Sequence, residues 1–181
     1  MRPPKNTTIE ELDPFAEAAS RLCSACGMCC DGVLFHGVVL QPGDAAKELS
    51  ALGLLLKRKR NKTMFLQPCS AHKGCQCSIY DTRPTRCRAF ECRQLIRLRD
   101  GEIEEGTALD RIREARGQVE PMLGLLQKAG DKNEKRDLFS RCASLLEKSP
   151  EVFPEIASFQ EEIRERVAAL EAFLSAEFRT E

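Results

Sequence analysis

Hydrophobic side chains recur at steps of three and four along the second half of the chain, the spacing that places them on one face of an α-helix. The longest such pattern covers residues 156–178. Its apolar positions are Ile156, Phe159, Ile163, Val167, Leu170, Phe173, Leu174 and Phe178. The same spacing predicts helices over residues 107–129, with a break at Pro121, and over residues 134–148. Residues 101–181 are therefore predicted to form a helical extension.

The first hundred residues show shorter and more varied patterns. A capping box formed by Thr8 and Glu11 predicts the start of a first helix that runs toward Leu22. Residues 33–40 and residues 63–67 are rich in β-favouring side chains and are bounded by turn residues. These two segments predict short strands.

Turn and cap residues locate two further helices. Asp44 follows a Pro-Gly turn and is expected to cap a helix that ends near Leu56. Pro84 is suited to the first turn of a helix that ends near Arg99. The chain is thus predicted to be α+β and mostly helical, with a small cysteine-rich module of short strands over residues 1–100, on which the helical extension packs.

Cysteine changes this picture most. The 181-residue chain has ten cysteines, no Trp and only 6% aromatic residues, so its aliphatic core needs additional support. All cysteines except Cys142 lie between Cys23 and Cys92. The charged N-terminus lacks the apolar stretch of a secretory signal, which predicts a cytoplasmic protein. Thiols stay reduced in the cytoplasm, so the cluster is expected to bind metal instead of forming disulfides.

Positive charge is concentrated in the same region. The chain has no net charge, yet residues 57–99 carry twelve Lys and Arg against two acids. Metal–thiolate centres are anionic and need cations nearby. The candidate cations are Arg83, Arg86, Arg88 and Arg93. The run at residues 57–60 is interpreted as solvated charge, because it lacks interleaved aromatic residues for base stacking, and a nucleic-acid partner is not expected.

The sharpest motif is Cys23-x-x-Cys26-x-x-Cys29-Cys30. A two-residue spacer lets two thiolates from one tight turn reach a common ion, as in many zinc and iron-sulfur sites. Cys29 and Cys30 are adjacent, so their side chains diverge by about 100° in a helix or point to opposite faces of a strand. Either the two thiols serve different metals, or one is a ligand and the other packs beside it.

A second cysteine group begins at Cys69 and continues through the sequence CSIYDTRPTRCRAFEC at residues 77–92. Together with the first motif, this group resembles the YkgJ-type cysteine-cluster family, a zinc- or iron-chelating domain. The family pattern is CxxCxxCC, a lone Cys, C-x-I-Y-x-x-R-P-x-x-C-R-x-F and a nearby final Cys. The resemblance covers about half of the chain.

The resemblance implies eight thiolate metal ligands at the matching positions. They are Cys23, Cys26, Cys29, Cys30, Cys69, Cys77, Cys87 and Cys92. Tyr80, Arg83 and Phe90 also match the pattern and are expected to be structural. Eight thiolates suit two four-sulfur sites that hold zinc or iron-sulfur clusters, and the sequence leaves both metals open. The two cysteine groups are expected to meet in space.

The predicted function is that of a metal-binding protein, with a zinc or iron ion as its partner. An iron-sulfur-dependent enzyme is the alternative, because the family also resembles the cysteine-cluster part of flagellin lysine methylases. No hydrolase triad, phosphate-binding loop or dinucleotide fingerprint accompanies the cysteines. The sequence therefore predicts no catalytic residue apart from the metal cluster.

The remaining candidates are weaker. His72, beside Cys69, is the histidine placed to act as a ligand, whereas His36 lies in a strand pattern. Cys142 is expected to be a small core residue, and Cys75 is either a spare ligand or an exposed thiol. The C-terminal helix is expected to pack on the module and is the best candidate surface for a protein partner. No apolar run approaches the roughly 20 residues of a membrane span, so no membrane contact is expected.

Overall fold

The computed structural model describes residues 13–74, 76–149, 151 and 154–180. Within these ranges the chain forms seven α-helices and five short β-strands, which confirms the predicted mostly helical α+β class. No helix in the described part is long and apolar enough to cross a bilayer.

Helix α1 spans Pro14–Cys26 and delivers the first cysteines. Asp13 caps it, since its carboxylate accepts a hydrogen bond from the backbone N–H of Phe15 at 3.0 Å. Gly27 ends it in the left-handed region at φ 62°, which glycine adopts without a steric penalty. The capping box predicted at Thr8 and Glu11 lies outside the described residues.

Three strands form an antiparallel sheet in the order β1-β3-β2, with β1 at Gly37–Val39, β2 at Leu56–Lys59 and β3 at Lys62–Leu66. Strand β3 confirms the strand predicted at residues 63–67. The strand predicted at residues 33–40 shrinks to β1, because Val33 and Leu34 are buried among the helices.

The segment between β1 and β2 differs from the prediction. Helix α2 covers only Ala46–Ala51, and Gly53 at φ 90° turns the chain away well before Leu56. The Asp44 side chain does not cap α2. It accepts hydrogen bonds from the backbone N–H and hydroxyl of Thr85 at 2.8 and 2.7 Å, and so fixes a helix that lies far along the sequence.

The segment after β3 contains a small hairpin of β4, His72–Lys73, and β5, Gln76–Cys77. The single helix predicted from Pro84 to Arg99 is two helices, α3 at Thr85–Ala89 and α4 at Arg93–Arg99. The break occurs because Phe90 is extended at φ −78° and ψ 122°.

Three helices complete the chain: α5 at Glu105–Lys128, α6 at Leu138–Leu146 and α7 at Ala157–Glu177. Helix α5 continues through Pro121, so the predicted break is wrong; a buried row that includes Val119 and Met122 keeps this stretch packed. The segment predicted to begin at residue 134 becomes helical only at α6, where the Asp137 carboxylate accepts from the N–H of Ser140 at 2.9 Å.

Two hydrophobic cores result. The larger one, here the helical core, is built mainly from the long helices; its centre includes Leu22, Ile112 and Leu170. The smaller one, here the sheet core, lies under the three-stranded sheet and consists of Leu49, Leu54, Phe65, Ala71 and Ile79. The apolar face of α7 is buried in the helical core, with Ile163, Leu170 and Leu174 fully enclosed.

Candidate metal centre

The eight cysteines that match the family pattern divide between the two cores. Cys26, Cys29 and Cys92 pack against the helical core. Cys69, Cys77 and Cys87 pack against the sheet core. The remaining two cysteines are assigned by which thiols influence one another's pKa. Cys23 raises the pKa of Cys26 and Cys29. Among the other cysteines, Cys69, Cys87 and Cys77 contribute most to the raised pKa of Cys30. We call these four-membered groups the helical set (Cys23, Cys26, Cys29, Cys92) and the sheet set (Cys30, Cys69, Cys77, Cys87).

The end of α1, the turn that follows it and the start of α4 bring the helical set together. Cys23 and Cys26 are three residues apart at the end of α1, so they lie on the same side of the helix. Gly27 then reverses the chain, and its carbonyl accepts from the N–H groups of Cys30 at 2.8 Å and Asp31 at 3.0 Å. This turn brings Cys29 back to the helix end, where Cys92 arrives as the residue before α4.

The sheet set joins the two cysteine groups of the sequence. The carbonyl of Cys30 accepts a hydrogen bond from the N–H of Cys69 at 2.7 Å, although 39 residues separate them. Cys77 lies at the end of β5, opposite His72 of β4. Cys87 is on α3, the helix whose first residue is held by Asp44. The two groups therefore meet, as the adjacent Cys29 and Cys30 suggested.

The thiols of the helical set favour the protonated form. Burial raises the pKa of Cys26 to about 12, and the neighbouring Cys92 and Cys23 contribute to the rise. Burial also raises the pKa of Cys29 well above its ordinary value, with further contributions from Cys26 and Cys92. Cys23 is exposed, yet the protein around it is dense enough for desolvation to raise its pKa.

Cys30, Cys69 and Cys87 of the sheet set also favour the protonated form. Burial raises the pKa of Cys30 to about 12, followed by the influence of Cys69, Cys87 and Cys77. Burial raises the pKa of Cys87 to about 11, again with Cys69 and Cys77 as neighbours. Each set is thus a group of thiols that repel one another when ionised, and a bound cation would remove that repulsion.

Two arginines lie beside these thiols. Arg83 stacks on the Tyr80 ring at 3.6 Å and donates from Nε to the Tyr80 carbonyl at 2.9 Å. Its charge partly offsets the effect of burial on the pKa of both Cys23 and Cys87, so it stands between the two sets. Tyr80 and Arg83 thus contact each other closely.

Arg116 of α5 is the arginine that sequence reasoning missed. Its guanidinium donates to the Asp31 carboxylate and to the Cys26 carbonyl. A Cβ on Gly27 would lie 3.0 Å from Arg116 Nη2 and 3.4 Å from the His72 ring. Arg116 therefore fixes the turn that runs from Cys26 to Asp31 and carries Cys29 and Cys30, and only tertiary contact reveals it, because 85 residues separate it from Asp31.

The other expected cations have different positions. Arg93 donates from Nη1 to the Ala176 carbonyl at 2.6 Å and so binds the end of α7. The charge of Arg88 helps to lower the pKa of Asp44. Arg86 is exposed and lines the cleft described next. Arg83 is thus the predicted arginine whose charge opposes the rise in pKa of cysteines in both sets.

A cleft of about 930 Å³ is lined by cysteines of both sets. Six of the eight contribute to its wall: Cys23, Cys29, Cys30, Cys69, Cys77 and Cys87. Phe35 and Phe90 form an edge-to-face pair on the wall with ring centroids 5.0 Å apart. The described lining includes arginines and histidines but no Asp or Glu, a composition that suits an anionic metal–thiolate centre.

The weaker candidates fall into three groups. His36 and His72 both line the cleft, and His72 is also near Gly27. Cys142 is fully buried in the helical core, where it was expected. Cys75 lies outside the described residues. The nine cysteines that the structure describes are free thiols.

The donor chemistry of both sets fits a metal, since four thiolates are the ligands of structural zinc and of many iron-sulfur clusters. In the described part of the chain, no three His, Cys, Asp or Glu side chains are arranged to hold a metal ion as they stand. The fold gathers the thiols, and binding an ion at either set requires a rearrangement of their side chains.

Comparison with known proteins agrees with this donor chemistry. No curated protein matches the chain. No solved structure matches it either. A family model described as "CxxCxxCC: Putative zinc- or iron-chelating domain" matches residues 22–115, which include all eight cysteines and the beginning of α5. Because this match spans just over half of the chain, the protein belongs to the CxxCxxCC family of zinc- or iron-chelating domains.

Proposed function

We propose that the chain binds metal at two centres, one held by the thiolates of the helical set and the other by those of the sheet set. The observation that carries this proposal is that three cysteines pack against each core, while Cys23 and Cys30 are grouped with opposite sets by the thiols that share an influence on their pKa. Family membership supports metal binding in general, and the assignment of individual ligands rests on this division.

Charge supports the same arrangement. A divalent zinc ion with four thiolates, or an oxidised four-iron cluster with four thiolates, carries about −2. Arg83 between the sets and Arg116 at the Cys26 carbonyl are placed to offset that charge. Bound metal would supply folding free energy, because the unfolded chain does not hold the ligands together and the free energy of metal binding therefore adds to that of folding.

Zinc and iron are both compatible with four-thiolate sets, and elemental analysis of anaerobically prepared protein distinguishes them. Two zinc ions per chain would indicate mononuclear sites. Iron with equimolar sulfide and absorption near about 400 nm would indicate clusters. Folded protein that contains less than about half an equivalent of zinc and iron combined would contradict metal binding.

Matched serine variants test the division into two sets. Cys92→Ser removes a ligand only from the helical set, and Cys87→Ser removes one only from the sheet set. Each variant is expected to lose about half of the bound metal, whereas the Cys92→Ser/Cys87→Ser double variant loses nearly all of it. Cys142→Ser, in the helical core, is the control and should keep the full metal content. If the two single variants lost the same centre, the division would be wrong.

Three further expectations stay predictions. We place the protein in the cytoplasm, where its free thiols stay reduced. We keep the boundary near residue 100; the helical core, which includes both Leu95 and Ile112, supports a helical extension packed on the module. The iron-sulfur enzyme related to flagellin lysine methylases gains no support from the comparisons. The protein partner expected at α7 stays a prediction, although Ile163, Leu170 and Leu174 of its apolar face are buried in the helical core.

A further inference from the structure

The three-stranded sheet contains a basic hairpin that carries no cysteine. It comprises β2, the turn at Arg60 and Asn61, and the start of β3 (residues 56–62). Its five cations are Lys57, Arg58, Lys59, Arg60 and Lys62, and all five are exposed. The hairpin contains no acidic residue.

These cations lack the carboxylate partners that cations elsewhere in the molecule have. In the described residues, none of the five takes part in an ion pair, whereas Arg97, Arg111 and Arg141 in the helical part each pair with an acid. Exposed like charges this close repel one another, and a bound anion would relieve the repulsion. The hairpin is thus an uncompensated positive surface.

Strand β2 also forms an edge of the sheet. The strand order is β1-β3-β2, so β2 has a neighbour on one side only. Lys59 pairs with Lys62 across a two-residue turn, and the pair that closes such a turn is hydrogen-bonded. Hydrogen-bonded and non-hydrogen-bonded pairs alternate in an antiparallel ladder, so the Lys57–Met64 pair is hydrogen-bonded as well. The backbone N–H and C=O groups of Leu56 and Arg58 therefore face away from β3, and no hydrogen-bond partner for them is present in the described structure.

Exposed apolar side chains precede β2 in the chain. The side chains of Leu55 and Leu52 are 72% and 50% exposed, and they are two of the four large hydrophobic residues exposed in the described part of the chain. Charge on an edge strand by itself protects against aggregation. Exposed leucines just before the strand do not serve this purpose, but Leu55, next to Leu56 in the chain, provides contact area for an incoming chain.

We propose that this edge binds an extended acidic peptide segment of a partner protein, which adds a strand beside β2. Such a strand would pair with the free backbone groups of Leu56 and Arg58 and place alternate carboxylates on the face of Lys57 and Lys59. Its apolar residues on the other face lie next to Leu56. A nucleic acid fits less well, because residues 52–62 contain no aromatic side chain for base stacking.

The probe is a short fluorescent peptide of alternating Val and Glu, and its binding to the full-length protein is measured by anisotropy. We expect saturable binding that weakens at least tenfold when salt rises from about 0.05 to about 0.5 M, because screening removes the charge attraction. Hydrogen exchange of the Leu56 and Arg58 amides should slow in the complex, whereas that of Lys57, already bonded to β3, should not change.

Arg58→Pro and Arg58→Ala are the matched variants. Both remove the charge, but only proline also removes the outward N–H, and edge strands tolerate proline where that group faces solvent. We expect Arg58→Pro to bind the peptide about tenfold more weakly than Arg58→Ala, the loss expected for one backbone hydrogen bond and its neighbours. Unchanged metal content and circular dichroism establish that both variants are folded.

Several results would overturn the proposal. Equal peptide affinity of the two Arg58 variants would exclude strand addition. Equal or tighter binding of a single-stranded oligonucleotide, or of phosphatidylserine vesicles, would identify a different class of partner. Equal binding of a peptide in which alternate Val residues are replaced by Pro would show attraction by charge alone. Absence of binding at low salt would reject the site altogether.

Discussion

Arg116 links the helical extension to the cysteines through a single side chain. It lies one residue beyond the stretch that matches the family, and its guanidinium binds both the Asp31 carboxylate and the Cys26 carbonyl. The Asp31 carboxylate also accepts from the N–H of Val33 at 3.1 Å, so this contact orders the backbone that carries Cys29 and Cys30. The position of two ligand candidates thus depends on a residue in α5.

Replacing Arg116 with Gln should lower the free energy of unfolding by about 1–2 kcal/mol, because Asp31 and the Cys26 carbonyl each lose a charged donor in a half-buried setting. Urea unfolding of the metal-bound protein measures the change. The same variant should bind metal more weakly at the helical set, as measured by competition with a chelator.

Arg113→Gln is the control for this prediction. Arg113 pairs with Asp110 on the exposed side of α5, where the two side chains are 70% and 72% exposed, so its loss should cost less than about 0.5 kcal/mol. If the two variants were equally stable, Arg116 would not support the cysteine turn.

At the scale of elements, the end of α7 fixes the start of α4. The Phe178 carbonyl accepts from the N–H of Arg93 at 3.0 Å, and the Gln94 side chain donates to the Glu177 carbonyl at 2.7 Å. Cys92 immediately precedes this contact. The last helix of the chain therefore determines where one cysteine of the helical set lies.

Phe178→Ala should destabilise the protein by about 3–5 kcal/mol, because Phe178 is fully buried and its removal leaves a cavity beside α4. Thermal or urea unfolding measures this loss. We also expect metal at the helical set, which contains Cys92, to be released by a chelator before metal at the sheet set.

Leu123→Ala on α5 is a matched control. Leu123 is 39% exposed, so its truncation should lower the free energy of unfolding by about 1 kcal/mol or less. Release of both metals at the same chelator concentration in Phe178→Ala would contradict a specific effect on the helical set.

The sequence predicted that Cys29 and Cys30 diverge, but not which cysteines each of them joins. The divergence of Cys29 and Cys30 follows from local geometry, because adjacent side chains cannot point the same way. The partners of each thiol depend on how residues 31–68 return to the N-terminal cysteines, and no local pattern encodes that path. Asp44 illustrates the difference: its capping chemistry was predicted, but it caps the start of α3 across 41 residues instead of α2.

The whole molecule should become less stable in alkali when metal is removed. Burial raises the pKa of Cys26 and Cys30 to about 12 in the folded state, from an ordinary value of 9.0. Above about pH 9 the unfolded chain loses thiol protons that the folded chain keeps, so stability is complete below pH 9 and falls as pH rises toward 12.

Urea unfolding of chelator-treated protein at pH 8 and pH 10 tests this sign. The metal-bound protein is the control, because its ligand thiolates are already deprotonated and should show a smaller change. Equal stability of the metal-free protein at both pH values would contradict the proposed environment of the thiols.

A single peptide bond separates Cys29, which packs on the helical core, from Cys30, whose carbonyl binds Cys69. Consecutive Cα atoms joined by a trans peptide are about 3.8 Å apart, so this bond fixes the distance between the two cysteines. One residue inserted here would turn the two thiols away from the partners that each has now. Chain length is therefore constrained at this point to the single residue.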